Sequence, residues 1–314
     1  MNYTNKFNLP DEIVKALTKD RYNPDGEIDL GDYSATTLCA PIQLTILKRR
    51  YPDKLRVFDV TDNFWAFVGS IAHKVLEEHG TDFNALREAR LYYSVNSING
   101  RSTNNKIRIS GQVDHFKNNV LTDYKSTKAY KIIRADYEDW TKQLNVYSWL
   151  FSRNGMHVEQ LRIFAFILDW KKHEIFRKGY PKCPIVEIPI KDLGITWQEN
   201  FIVEQLGKLE AAAKLSDKEL AEQYPCSPKE MWQDTKDWAI TKEGAKRALK
   251  CFDDADEALT YPLKDGEMLV QRMTERKRCY DYCLCSKVCL QHKAMSQKEK
   301  GFKDGESDRE EPIF

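Results

Sequence analysis

The chain has 314 residues, 41% of them hydrophobic and 31% charged, and a formal net charge of +1. That length can bury a sizeable core, and a charge so near zero argues neither for nor against nucleic acid, for which a strongly basic surface would be the clearer sign. No run approaches the roughly eighteen apolar residues needed to cross a bilayer, and nothing resembling a secretory signal opens the chain, so a soluble, cytoplasmic protein without membrane partners is expected.

Residues 1 to about 60 read as a helical lead-in, broken by the turn-rich Asn23-Pro24-Asp25-Gly26 and ending in the basic Lys48-Arg49-Arg50. A helix is predicted from about Asn63 to His79, where the spacing of four places Gly69, His73 and Glu77 on one face. Strands follow at Glu88 to Asn96, Lys106 to Val113 and Val120 to Lys125. The Ser, Asn and Gly of 97–105 predict a hairpin loop, and Lys117-Asn118-Asn119 a tight turn. A second helix, Tyr137 to Arg153, carries Gln143 and Tyr147 four apart, with Trp140 and Trp149 expected to pack. Strands at Leu161 to Asp169 and Cys183 to Ile190 complete a core spanning 61–192. Residues 193–295 are expected to be mainly helical, beginning with the amphipathic Gly194 to Leu215, and 296–314 lack apolar periodicity and read as disordered. No internal repeat is visible.

Chemistry concentrates where two strands would converge. Alternation puts Asp123 and Lys125 on one face of a strand and Tyr124 on the other. With Asp114 at the end of the neighbouring strand, two carboxylate oxygens can hold a divalent cation while the ammonium reaches an attacked phosphate. His115 should face away from this group.

Taken together, the helical Gly69-x-x-x-His73-x-x-x-Glu77, the strand ending Gly111-Gln112-Val113-Asp114, the strand Asp123-Tyr124-Lys125 and the helical Gln143-x-x-x-Tyr147 resemble the PD-(D/E)XK nucleases, in their RecB-like branch. The resemblance implies a restriction-endonuclease-like αβββαβ core with a mixed central sheet. It implies phosphodiester hydrolysis with Mg2+ or Mn2+ held by His73, Asp114, Asp123 and the Tyr124 carbonyl. Lys125 would position the attacking water or help deprotonate it and stabilise the transition state, and Gln143 and Tyr147 would orient Lys125 or touch the nucleic-acid backbone. Glu77 is open between water-mediated metal binding and a solvated helix face.

Eight cysteines occur, four of them in Cys279-Tyr280-Asp281-Tyr282-Cys283-Leu284-Cys285-Ser286-Lys287-Val288-Cys289. In a chain expected to be cytoplasmic, thiolate ligation of a metal is a better reading than a disulfide framework; the spacing suits either zinc or a 4Fe-4S cluster. The interval from Cys283 to Cys289 is similar to the last ligands of AddB-type and CRISPR-associated iron–sulfur nucleases, which implies Cys279, Cys283 and Cys289 as ligands, with Cys285 as a spare or substitute. In those families the fourth ligand precedes the core, so the same resemblance implies Cys39 there. A second resemblance, to phage and prophage RecB-like nucleases, favours Cys226 instead. It rests on Asn8-Leu9-Pro10, Thr36-Thr37-Leu38 ahead of the basic helix, and Pro225-Cys226 followed by Trp232.

Basic stretches at Lys125 to Lys131, Lys171-Lys172, Lys242 to Lys250 and Arg276-Lys277-Arg278 read singly as solvated faces and jointly as a track for a DNA strand. The terminal Ser307 to Phe314 resembles the acidic tip of bacterial single-stranded-DNA-binding proteins. Two function classes follow: a DNA exonuclease of phage recombination, replication or DNA processing acting on single strands or duplex ends, or a non-catalytic DNA-binding module on the same fold. The first leaves open a recombination or helicase partner.

Overall fold

The computed structural model describes residues 3–19, 32–80, 84–98, 101–233, 238–245, 247–252, 254–271 and 275–297. The Asn23 to Gly26 turn and the chain end past 297, with its acidic tip, lie outside them. The chain divides into two compact units, one of Met1–Ala40 with Val57–Glu210 and the other of Pro41–Arg56 with Ala211–Phe314.

The first unit starts with β1 (Tyr3–Thr4), α1 (Asp11–Thr18), β2 (Tyr33–Ser34) and α2 (Ala35–Leu38). Helix α3 (Ile42–Arg50) belongs to the second unit, and the first resumes at β3 (Phe58–Asp59). The elements expected of the core then follow in the expected order, with one unpredicted short helix, α5, among them: α4 (Phe64–Glu78), β4 (Leu86–Ile98), β5 (Arg101–Lys117), β6 (Val120–Thr127), α5 (Ala129–Arg134), α6 (Glu138–Arg153), β7 (Gln160–Ile167) and β8 (Ile185–Ile190), before α7 (Ile195–Ala213). Strands β4, β5 and β6 are antiparallel neighbours, β6 and β7 are parallel, and β7 and β8 antiparallel. This is an αβββαβ core with a mixed central sheet.

Local chemistry accounts for these elements. Asn118 and Asn119 adopt φ of 48° and 61°, the left-handed pair that a two-residue hairpin needs between β5 and β6. Along β7 the buried Leu161, Ile163, Ala165 and Ile167 alternate with partly exposed residues. On α6, Leu144, Leu150 and Phe151 are fully enclosed, each contributing about 1.5–3 kcal/mol by burial. Gly111 of β5 lets this helix come close, since a Cβ there would stand 2.7 Å from Leu150 Cδ1 and 2.8 Å from the Tyr147 ring. Strands β4 and β5 pair as far as Ile98↔Arg101, so the hairpin loop predicted over 97–105 is much shorter: the backbone ladder continues where the apolar alternation stops.

In the second unit, Asp217 at the start of α8 (Asp217–Gln223) pairs with Arg50 of α3 and accepts a 2.6 Å hydrogen bond from Tyr51. Beyond it lies a feature absent from the mainly helical expectation, an antiparallel sheet of β9 (Trp238–Lys242), β10 (Lys250–Phe252) and β11 (Glu267–Gln271), with α9 (Ala255–Thr260) packed through Ala258 against Ile240 and Phe252. Its strands are too short to write a clear alternation into the sequence. A π-turn at Arg278–Tyr282 then leads to a helical stretch over 290–297. Among the described residues no helix is long and apolar enough to cross a membrane.

Candidate functional site

The central sheet opens at Asp114. Its strand pairs with β6 only through His115↔Thr122, Phe116↔Leu121 and Lys117↔Val120. One step further the ladder ends, and the Asp114 carboxylate accepts the Tyr124 N–H at 2.7 Å in place of a backbone carbonyl. On the other side, Arg87↔His115 and Ala89↔Val113 pair while the intervening Glu88 does not. Glu88 has φ of 46°, a left-handed conformation costly for a non-glycine residue and common at functional sites. The register therefore sets Glu88 directly opposite Asp114.

Three potential ligands meet at this gap. His73 Nδ1, from α4, lies 3.4 Å from Glu88 Oε1 and 3.4 Å from Asp114 Oδ1. One ligand atom from each of His73, Glu88 and Asp114 falls within 4.8 Å of the others, which suits a metal ion. The group is largely enclosed, with side-chain exposures of 12%, 13% and 8%. Gln112 steadies it by donating to Glu88 Oε2 at 2.8 Å while accepting from Arg90 at 2.9 Å. The Tyr124 ring stands edge-on to His73, 5.9 Å between centroids.

On the α6 side of the sheet a polar chain begins at Asp123. Lys125 Nζ lies 2.8 Å from Asp123 Oδ2 and donates to Gln143 Oε1 at 3.0 Å, and Gln143 Nε2 donates to the Tyr147 hydroxyl at 2.8 Å. Asp123 Oδ2 is buried and has no well-directed hydrogen bond, although the ammonium offsets its charge. Burial drives the Asp123 pKa up, Asp114 adds to the rise, and Lys125 opposes it. For Lys125 burial, the largest single influence, acts to lower the pKa, but Asp123, Tyr147 and Asp114 act together in the other direction and the net shift is upward. The Tyr147 hydroxyl is pushed up by burial and then by Asp123. The carboxylates of Glu88 and Asp114 with the His73 imidazole are a donor set that fits a hard divalent cation, and the buried Asp123, whose Oδ2 is met by the Lys125 ammonium, lies within electrostatic reach of it.

The sequence-predicted residues are thus placed as follows. His73 and Asp114 come together, Asp123 lies within electrostatic reach of both, and Lys125, Gln143 and Tyr147 form one chain of contacts. Glu77 is elsewhere, exposed and paired with Lys74 at 3.1 Å. Helical spacing put it on the His73 face, yet a residue one turn further lies past the gap in the sheet. Glu88 takes the place considered for Glu77 and was missed; the available signal was its position at the start of the strand that pairs with the Asp114 strand.

The second unit holds a cavity lined by Cys226, Cys279, Cys283, Cys285, Cys289 and Gln43, among others. Cys226 is anchored by a reciprocal pair, its N–H donating to Gln291 Oε1 and its carbonyl accepting from Gln291 Nε2, both at 2.8 Å. The buried Gln43 Oε1 accepts from Cys289 at 3.2 Å and more loosely from Cys226 at 3.9 Å, and Cys285 points at the Leu44 carbonyl at 3.6 Å. Burial raises the thiol pKa values to about 12 at Cys226 and Cys285 and about 11 at Cys279. Among the described residues, no three of these sulfurs lie within 4.8 Å of one another. Cys39 belongs to the first unit, where it caps α2 and burial pushes its thiol pKa up to about 12.

No protein-family model matches the chain, and no curated protein matches it. Solved structures that overlap it include SSO0001, at 17% identity over 64% of this chain and 84% of that one, with a TM-score of 0.45. An alkaline exonuclease from Laribacter hongkongensis, LHK-Exo, overlaps at 13% identity over 62% and 95% of the two chains, with a TM-score of 0.32. Its complex with dAMP overlaps at 12% identity over 68% and 100%, with a TM-score of 0.29. Overlaps of this extent assign neither chemistry nor substrate to this chain.

Proposed function

We propose that this protein is a divalent-metal-dependent nuclease that hydrolyses phosphodiester bonds in DNA. The observation that carries the reading is the gap in the sheet at Asp114, where His73, Glu88 and Asp114 converge beside the Asp123–Lys125 pair. His73, Glu88, Asp114 and Asp123 would hold Mg2+ or Mn2+, with the Tyr124 carbonyl as a further oxygen. Such an ion polarises the scissile phosphate and makes water a stronger nucleophile. Lys125, which stands 2.8 Å from Asp123 and donates to Gln143, would reach the attacked phosphate and offset the charge that builds there, or position the attacking water and help deprotonate it. Gln143 fixes the ammonium and is itself fixed by Tyr147.

The cysteine cavity supports the iron–sulfur reading, with Cys226, Cys279, Cys283 and Cys289 as ligands and Cys285 held by Leu44. Thiolates in this number and spacing along the chain suit either a 4Fe-4S cluster or a tetrahedral zinc. Thiol pKa values raised by burial mean that loading must release protons, and that ligation contributes to folding of this unit. Exonuclease action in phage recombination, replication or DNA processing, in a bacterial host cell, is the biological setting we propose.

The test is cleavage of end-labelled single- and double-stranded DNA by anaerobically purified protein with Mg2+ or Mn2+, beside Lys125→Ala and Asp114→Ala. Each variant should lose at least about a hundredfold in rate while still binding DNA. Equal cleavage by variant and wild type, or none by a wild type that binds metal, would sink the proposal.

A further inference from the structure

Arg276 is the bulkiest of the fully buried side chains among the described residues, with an exposure of 0%. A guanidinium remains charged at any working pH, so a full positive charge is enclosed in the second unit. Its head is held on several sides: NH2 donates to the Tyr280 hydroxyl and to Ser296 Oγ, both at 3.2 Å, and NH1 lies 3.3 Å from His292 Nδ1. The Tyr280 ring lies 5.4 Å from the guanidinium carbon. The same residue's carbonyl accepts the Cys279 N–H at 2.9 Å. His292 lines the cysteine cavity and gives its own N–H to Cys289 Sγ at 3.4 Å. One residue, His292, thus touches the guanidinium with its ring and Cys289 with its backbone N–H, and a single turn of backbone links Arg276 to Cys279.

We propose that Arg276 is the buried counter-charge of the cysteine cavity, a positioning residue that offsets the negative charge of the bound thiolates and raises the reduction potential of the iron–sulfur group they hold. This rests on the iron–sulfur reading above. Thiolates and cluster together carry net negative charge in a poorly solvated site, and reduction adds more. A fixed cation nearby stabilises the reduced state over the oxidised one, and net charge and hydrogen bonding are the levers by which proteins set such potentials.

The experiment compares full-length wild type, Arg276→Gln and Arg276→Lys, purified anaerobically, by iron and acid-labile sulfide content and by spectroelectrochemical midpoint potential. Arg276→Gln should keep its cluster at a more negative midpoint, and Arg276→Lys should stay near wild type because the charge remains. Loss of the cluster in the Gln variant with retention in the Lys variant would also support a charge role. Equal midpoints in all three overturn the proposal, as does loss of the cluster in both variants, which would assign Arg276 to packing. A wild type without iron and sulfide would overturn the iron–sulfur reading itself, an outcome distinct from the others.

Discussion

At the scale of single residues, Glu88 is the most informative position. A glutamate with φ of 46° in the middle of a strand pairing is strained, and the strain is retained where its carboxylate meets His73 and lies opposite Asp114. Glu88→Gln preserves size and the capacity to bond Gln112 but removes a charge. We expect Mn2+ affinity, measured by calorimetric titration, to fall about tenfold or more, with cleavage partly recovered at high metal concentration. An unchanged affinity would remove Glu88 from the metal site. Asp59 shows the opposite electrostatic pattern. Its carboxylate accepts the Lys6 N–H at 2.8 Å, and also bonds Thr61 and Thr4, and these hydrogen bonds hold its pKa well below the usual 3.8. A depressed folded pKa gives stability that is present above the unfolded value and lost as pH falls towards the folded one. Asp59→Asn should therefore be less stable than wild type at neutral pH, with the difference shrinking below pH 3.8. Urea midpoints taken across that range would reveal a constant difference if the idea is wrong.

At the scale of elements, the site depends on how closely β5 and α6 approach. Tyr147 and Gln143 reach Lys125 because Gly111 leaves no side chain between the sheet and the helix. Gly111→Ala places a methyl against Leu150 and Tyr147, an overpacking expected to cost about 1–3 kcal/mol. Its cleavage rate should fall as well, since Tyr147 can no longer hold Gln143. Wild-type stability in chemical denaturation would show that the helix yields without cost. The two helices of the site divide the work: α4 brings an imidazole to the metal group, and α6 brings neutral hydrogen-bonding groups to the lysine.

At the scale of the whole molecule, metal binding should register as stability. In the metal-free protein Asp114 and Asp123 raise each other's energy, and a cation that binds only the folded state relieves this. Mn2+ at a hundred times its Kd should stabilise the wild type by about 2.7 kcal/mol, seen as a rise in Tm, and leave Asp114→Ala unmoved. An equal rise in both would place the ion elsewhere. The chain's two units each hold a group of potential ligands of different character, carboxylates with an imidazole in one and thiols in the other, so an oxygen-seeking cation should act on the first alone.

The sequence by itself determined the order of the core elements and the cluster of Asp114, Asp123 and Lys125, because apolar periodicity, the Asn118-Asn119 turn and strand alternation are local properties. It also placed Gln143 and Tyr147 on one helical face. Tertiary structure decided the rest, for reasons of distance along the chain. Glu88 joins the site only through the register of a long hairpin, and Glu77 leaves it because a face shared with His73 says nothing of where the sheet opens. Gln43 meets Cys226 across 183 positions, a packing that no single segment encodes. The short strands β9, β10 and β11 were illegible for a related reason: each is stabilised by its neighbours, with too few residues of its own to declare a period.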